Sequence, residues 1–285
     1  MGSPAIQRYE VPRIVRGRTI RGDIRLHTGF PSAVLGNVRD LVVWLPRGYR
    51  SDSARRYPVL YLQDGQNVFD VRTSAYGVKW DFDGHVSRLV AAREMEPIIM
   101  VGIYNTPARM AEYTPPWSDN ASFGRLEAYG AFLLDEVKPF IDARYRTHSE
   151  RTGIVGSSLG GLSALYLGLR YPRVLPRVGC VSPSLWYGEG GMMRAVSMLA
   201  TLQGPERLWL CAGTREGPRP GRGEFLTIPC LRQLRDLLLE RGFRLGKSLF
   251  YHEARGGRHD EASWCARVPS ILRALYPPQD QESRE

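Results

Sequence analysis

Near the middle of the chain, Gly156-Ser157-Ser158-Leu159-Gly160-Gly161 forms a G-x-S-x-G between an apolar run, RTGIV, and a helical run, LSALYLGL. Glycines flanking a serine let the backbone take a tight strand-to-helix turn, which lifts the hydroxyl clear of a sheet. Ser158 has glycine at both two-residue offsets and Ser157 does not, so Ser158 is the candidate nucleophile. The helix that follows would aim backbone N–H groups at developing negative charge. A glycine-rich protein can hold the same letters as a plain turn, but a strand before and a helix after favour the chemical reading.

A serine hydroxyl is a weak nucleophile and needs a base within hydrogen-bond reach, with an acid to orient that base. In folds built on such a turn the chain order is serine, then acid, then histidine. His27, His85 and His148 precede the serine, which leaves His252 and His259. His252 lies inside the strand-like run SLFYHEA, whereas His259 follows the polar, glycine-bearing loop Arg255-Gly256-Gly257-Arg258, so His259 is the stronger candidate. For the acid, the turn after RLWLCAG reads Gly213-Thr214-Arg215-Glu216-Gly217 and offers one carboxylate, Glu216. Asp260 and Glu261 compete through nearness to His259, but neighbouring side chains diverge at a helix start, and Glu261 reads as a cap or brace of the loop. An oxyanion would need two backbone donors, the N–H of Leu159 and one from Gln63-Asp64-Gly65-Gln66-Asn67, best met by Gln66 after the sharp turn at Gly65.

These residues require elements that can bring them together. Apolar runs alternate with amphipathic stretches, the pattern of βαβ units and a mostly parallel central sheet flanked by helices. Strands are expected at Ile20–His27, Asp40–Pro46, Pro58–Gly65, Pro97–Ile103, before the glycine-serine turn, and at Arg177–Pro183, Arg207–Gly213 and Ser248–Ala254. Helical spacing covers Asp81–Arg93, Gly124–Ala143, the run after Ser158, Met192–Leu202, Phe225–Arg241 and Asp260–Leu275. The loop from Tyr104 to Phe123, rich in proline, asparagine and aromatics, is too long to be only a connector. No repeat, low-complexity tract or linker divides the chain, so one domain spanning 1–285 is expected, with an N-terminal extension at 1–18 and a loose tail at 277–285.

Composition bounds the rest. A hydrophobic fraction of 43% and a charged fraction of 24% describe a globular protein rather than a disordered one. The formal net charge of +10 raises the question of an anionic partner. Acids are interleaved with the arginines along nearly every segment, however, which reads as a solvated surface and not as a nucleic-acid face. Cys180, Cys211, Cys230 and Cys265 lack any C-x-x-C spacing and read as free thiols. The N-terminus has no apolar core of a signal peptide, and no run of about eighteen apolar residues exists, so a cytoplasmic chain without a membrane span is expected.

Taken in order, LPRGY, YPVLYLQDGQNVFD, VGIYNTPARMAEYTP, GSSLGG, SPSLWY, GTREG and GGRHDEASW resemble the esterase D-like family of α/β-hydrolases from about Arg39 to Leu275. That family includes enterochelin, acetyl xylan and feruloyl esterases and mycolyltransferases. The resemblance implies an α/β-hydrolase fold and a Ser158, Glu216, His259 triad, although this fold more often uses aspartate as the acid. It also implies a small-molecule ester substrate with no cofactor or metal, and it leaves a homo-oligomer open. It places Asn105, Arg109, Glu112 and Tyr113 beside the site, together with Asp64. Arg109 and Glu112, three apart, could instead pair with each other, with Tyr113 packed below. Trp117 and Trp186 could line an acyl or sugar pocket, or serve as lids or packing. The expected activity is hydrolysis of a carboxylic ester through an acyl-enzyme. Acyl transfer from the same intermediate, or a non-catalytic binding protein on this fold, are the alternatives.

Overall fold

The computed structural model describes residues 6–8, 20–117, 124–198, 204–217 and 227–278. The expected extension at 1–18, apart from 6–8, lies outside the described residues. So do the last residues of the tail, the end of the 104–123 loop and the end of the helix expected to reach Leu202.

The strands are β1 (Ile6–Arg8), β2 (Asp23–Ser32), β3 (Asn37–Leu45), β4 (Tyr57–Leu62), β5 (Ile99–Ile103), β6 (Thr147–Ser157), β7 (Arg177–Val181), β8 (Arg207–Gly213) and β9 (Leu249–Ala254). They form one sheet in the order β1-β2-β3-β5-β4-β6-β7-β8-β9. Pairing is antiparallel from β1 through β5 and parallel from β5 to β9. The helices are α1 (Phe82–Ala91), α2 (Arg109–Glu112), α3 (Leu126–Ala131), α4 (Lys138–Arg144), α5 (Leu159–Arg170), α6 (Gly191–Ser197), α7 (Thr227–Glu240), α8 (Glu261–Cys265) and α9 (Val268–Leu275). This is the α/β-hydrolase fold that the motifs implied.

The central strands are apolar on both faces because both are covered. Val59 and Tyr61 of β4 join the core beneath α3, α4, α5 and α7, while Leu60 and Leu62 of the same strand join the core beneath α1 and α9. In α9, Val268, Ile271, Leu272 and Leu275 recur at helical spacing and are all fully buried. Each such side chain contributes about 1.5–3 kcal/mol through removal from water.

Two expected helices differ from the fold. The run Gly124–Ala143 is α3 and α4 joined by a wider π turn at Phe132–Val137, because Pro139 has no N–H to give to the preceding turn. The expected helix Asp260–Leu275 is divided into α8 and α9, with Pro269 in the first turn of α9. A proline ring there would collide with the carbonyl of a continuous helix, so the chain restarts.

Candidate active site

Ser158 sits between β6 and α5 with φ 56° and ψ −122°, a strained conformation for a residue with a side chain. Six buried residues of β6 lead into it, and the N–H of Ser158 is fixed by the Val181 carbonyl at 3.0 Å. The flanking glycines have the expected steric reason, since a Cβ at Gly156 would lie 2.4 Å from the Gly160 carbonyl. Leu159 is the first residue of α5, where an N–H has no acceptor within the helix.

His259 is brought to the serine from the loop after β9. Its Nε2 lies 3.1 Å from Ser158 Oγ and its Nδ1 lies 3.1 Å from Glu216 Oε2. The loop is locked to the turn that carries Glu216. Arg215 N–H donates to the Gly257 carbonyl at 2.9 Å, Thr214 N–H donates to the Ala254 carbonyl at 3.0 Å, and Gly256 N–H donates to Thr214 Oγ1 at 2.9 Å. The approach is so close that a Cβ at Gly213 would fall 2.2 Å from the Gly257 oxygen. Asp260 accepts from Ser263 N–H at 2.8 Å and so caps α8, the part the sequence suggested for Glu261. His252 faces elsewhere, with its ring 6.0 Å from that of Trp209.

The Glu216 side chain is 1% exposed, and its Oε1 accepts from Ser182 Oγ at 2.6 Å, from Gly213 N–H at 2.6 Å and from both terminal nitrogens of Arg267 at 3.2 Å. Burial alone would raise this carboxyl. The hydrogen bonds from His259, Ser182 and Gly213 outweigh burial and hold it below the usual glutamate range. An ionised carboxylate only accepts, so His259 Nδ1 carries the hydrogen and Nε2 is left to accept from the serine. The support extends outward. Trp264 Nε1 and Arg267 each donate to Ser182 Oγ at 3.0 Å, and the Trp264 ring stands edge-on to His259 at 5.0 Å. Ser182, Trp264 and Arg267 were not found from the sequence. They come from the end of β7, from α8 and from the segment before α9, and only motif neighbourhood in SPSLWY and GGRHDEASW hinted at them.

Ser158 opens on a cleft of about 690 Å³ whose walls include Asp64, Gln66, Tyr76, Asn105, Arg109, His259 and Glu261. Gln66 lies on a short 3-10 turn, Gly65–Asn67, after β4. Its side chain accepts from Asn105 N–H at 3.2 Å, which ties that turn to the loop after β5.

The loop residues divide into two groups. Asp64 and Arg109 line the cleft and are bonded to each other, with Arg109 Nε 2.6 Å from Asp64 Oδ1 and its NH2 2.8 Å from Oδ2. Asn105 Nδ2 adds a third bond to Asp64 at 2.6 Å, so both carboxylate oxygens are occupied. Glu112 does not join them. It is fully buried against Arg39 at 2.7 Å and Asn37 at 2.8 Å, and the Arg39 guanidinium stacks 4.6 Å from the Phe132 ring centre. The pairing of Arg109 with Glu112 is therefore replaced by two separate ion pairs, because each charge has a partner in better geometry from another segment, Asp64 after β4 and Arg39 on β3. Tyr113 packs below, fully buried edge-on to Tyr129 at 5.1 Å, with its hydroxyl accepting from Asp64 N–H at 3.2 Å.

The two tryptophans do not line this cleft. Trp117 packs against Gly188 and Gly191 and meets Tyr166 edge-on at 5.6 Å. Trp186 is 47% exposed and leans on Tyr187. Among the described residues no cluster of three or more His, Cys, Asp or Glu could hold a metal ion, and no helix is long and apolar enough to cross a membrane.

A protein-family model described as "Putative esterase" matches residues 32–275. An uncharacterized protein, YbbA, of Bacillus subtilis (strain 168) is 24% identical over 247 residues, covering 84% of this chain and 92% of the relative. An iron(III) enterobactin esterase of Escherichia coli O6:H1 is 32% identical over 155 residues, covering 51% of this chain and 34% of the relative. The match thus spans about a third of that enzyme's length. Ferri-bacillibactin esterase BesA of Bacillus subtilis is 27% identical over 181 residues, covering 56% of this chain and 60% of the relative. Among solved structures, an IroE-like serine hydrolase from Shewanella oneidensis superposes with a TM-score of 0.68 at 22% identity, covering 89% of this chain and 80% of that one. At that identity the likeness speaks for the fold.

Proposed function

Because the chain belongs to this esterase family and is a carboxylic ester hydrolase, we propose that it works through an acyl-enzyme on Ser158, with His259 as general base and Glu216 as the group that orients it. The observation that carries the reading is the unbroken line Ser158 Oγ, His259 Nε2, His259 Nδ1, Glu216 Oε2, with both contacts at 3.1 Å.

Ser158 Oγ attacks the ester carbonyl carbon while His259 Nε2 takes its proton. The carbonyl oxygen becomes an oxyanion, held by the N–H groups of Leu159 and Gln66. The tetrahedral centre collapses, the bond to the alcohol oxygen breaks, and His259 returns the proton to the departing alcohol. Water then attacks the acyl-serine with its proton going to His259, and the acid leaves as Ser158 is regenerated. Glu216 stays ionised throughout and stabilises the transient imidazolium. Asp64, held by Asn105 and Arg109, braces the turn that presents Gln66, and the exposed atoms of Asn105 and Arg109 are available to the substrate. Glu112 and Tyr113 support that loop from beneath.

The substrate is a small-molecule ester able to enter the cleft. Hydrolysis of p-nitrophenyl esters of rising chain length, beside acetylated sugars and feruloyl esters, would define the acyl group. Product analysis with added alcohol tests the step after acylation. Free acid is expected as the main product, and a new ester as the main product would make the protein an acyltransferase instead.

A further inference from the structure

The cleft beside Ser158 carries more negative charge than the mechanism uses. Its walls hold three carboxylates, Asp64, Asp260 and Glu261, and one arginine, Arg109, on a chain whose net charge is +10. Two of the three are already engaged. Asp64 is chelated by Arg109 at 2.6 and 2.8 Å, and Asp260 caps α8 through Ser263 N–H at 2.8 Å. Glu261 is different. It is 8% exposed, it lies on the cleft wall, and among the described residues no side chain donates to it and no cation pairs with it. Its own backbone N–H is the donor that holds it, and a largely buried carboxylate with no guanidinium or ammonium beside it is a place where a ligand cation gains by pairing.

We propose that Glu261 is a specificity residue that receives a cationic group on the alcohol part of the ester. The placement on the alcohol side follows from the chain. Glu261 is two residues beyond His259, the group that hands a proton to the departing alcohol, and it opens the helix α8 that continues the same wall. Arg109 cannot cancel the charge, because its own fork is spent on Asp64. Burial, with Asp260 and Asp64 adding to it, outweighs the hydrogen bond from its own backbone N–H and the pull of His259 and holds the Glu261 carboxyl above the ordinary glutamate range. An arriving cation would relieve that strain, and an anionic alcohol group would add to it. The inference rests on the serine esterase reading and adds to it the charge class of the substrate.

The test compares three acetate esters of similar size: acetylcholine, its uncharged isostere 3,3-dimethylbutyl acetate, and 2-sulfoethyl acetate. Titration of the released acid gives kcat/KM for each. In the wild-type protein the cation should exceed the isostere by about tenfold, a modest return for one ion pair in a partly wet cleft, and the sulfonate should fall below both. In Glu261→Gln the ratio of cation to isostere should drop to near one. The ratio cancels any general loss of activity in the variant. A second measurement needs no variant: in the wild-type protein the preference should shrink as salt rises from about 0.02 to about 0.5 M, as screening lengths contract. A wild-type ratio near one, or a preference that survives in Glu261→Gln or in high salt, overturns the proposal. Ser158→Ala, run on the uncharged isostere, keeps this result apart from the underlying reading. If that variant is inactive and the ratio is flat, only the role of Glu261 fails; if it hydrolyses the isostere at the wild-type rate, the serine mechanism fails first.

Discussion

Replacing Glu216 by glutamine should strand the imidazole of His259 in the wrong tautomer. The substituted amide has one oxygen and one NH2 to place where two carboxylate oxygens stood. At the Oε1 position it meets only donors: Ser182 Oγ at 2.6 Å, Gly213 N–H at 2.6 Å and the Arg267 guanidinium at 3.2 Å. The amide oxygen must occupy that position, because an NH2 there would face an N–H and a guanidinium with nothing to accept from it. The NH2 then points at His259 Nδ1, 3.1 Å away in the native protein. Nδ1 becomes an acceptor, the ring hydrogen moves to Nε2, and Ser158 loses its base. Loss of a correctly oriented base costs at least about a hundredfold in kcat, or about 2.7 kcal/mol at 1.36 kcal/mol per decade. KM should change little. The same substitution removes the charge facing Arg267, whose side chain is 4% exposed, and should lower unfolding stability by about 3 kcal/mol as that guanidinium is left buried without its partner. The assays are steady-state hydrolysis of a p-nitrophenyl ester and urea unfolding. A kcat within tenfold of wild type, in a protein shown to be folded, would refute the argument. Glu216→Asp should recover part of the loss, limited by the shorter reach.

Three further outcomes follow from particular contacts. Gly213→Ala places a Cβ where the Gly257 oxygen stands at 2.2 Å, so it should push the His259 loop off its turn and lower kcat by roughly a hundredfold, as displacements near 1 Å do; an unchanged rate would show that the loop position is not fixed there. Glu112→Gln should cost about 3–5 kcal/mol in urea unfolding by leaving Arg39 buried and unpaired, while kcat of the folded fraction stays close to wild type, and a selective loss of kcat would return Glu112 to the site. His27 is fully buried with Nε2 2.8 Å from the Tyr145 hydroxyl, and burial, aided by Arg144, pulls its pKa from 6.5 down to about 4. Between those values the unfolded chain binds a proton that the folded chain refuses, so stability is full above pH 6.5 and falls as pH drops. The loss from pH 7 to pH 5 should be about 2 kcal/mol, and urea titrations of His27→Gln should lack that part of the slope.

The parts of the site legible in the sequence are those fixed by local sterics and chain order. The glycines around Ser158 announce a tight turn wherever the strand and helix flank them, and the order of acid and base then selects Glu216 and His259. What the sequence concealed is contact between distant segments. Arg109 and Glu112 have the spacing of a helical ion pair, yet α2 is only four residues long, and each side chain finds a stronger partner across the fold, in Asp64 and Arg39. Ser182, Trp264 and Arg267 converge on Glu216 and His259 from separate elements, and no periodicity links them. In the fold, the apolar runs of the central strands were plain because both faces are buried. The division of the last helix turned on Pro269, and the widened turn after α3 on Pro139, single residues that each stand in the first turn of a new helix and that apolar spacing does not mark.

The most direct test of the account is the site of covalent labelling by a fluorophosphonate, followed by peptide mapping. One adduct per chain is expected, on Ser158 and not on Ser157, with ester hydrolysis lost in proportion to labelling, and with neither adduct nor hydrolysis in Ser158→Ala. An adduct on another residue, or hydrolysis that persists after Ser158 is fully labelled, would contradict the central claim.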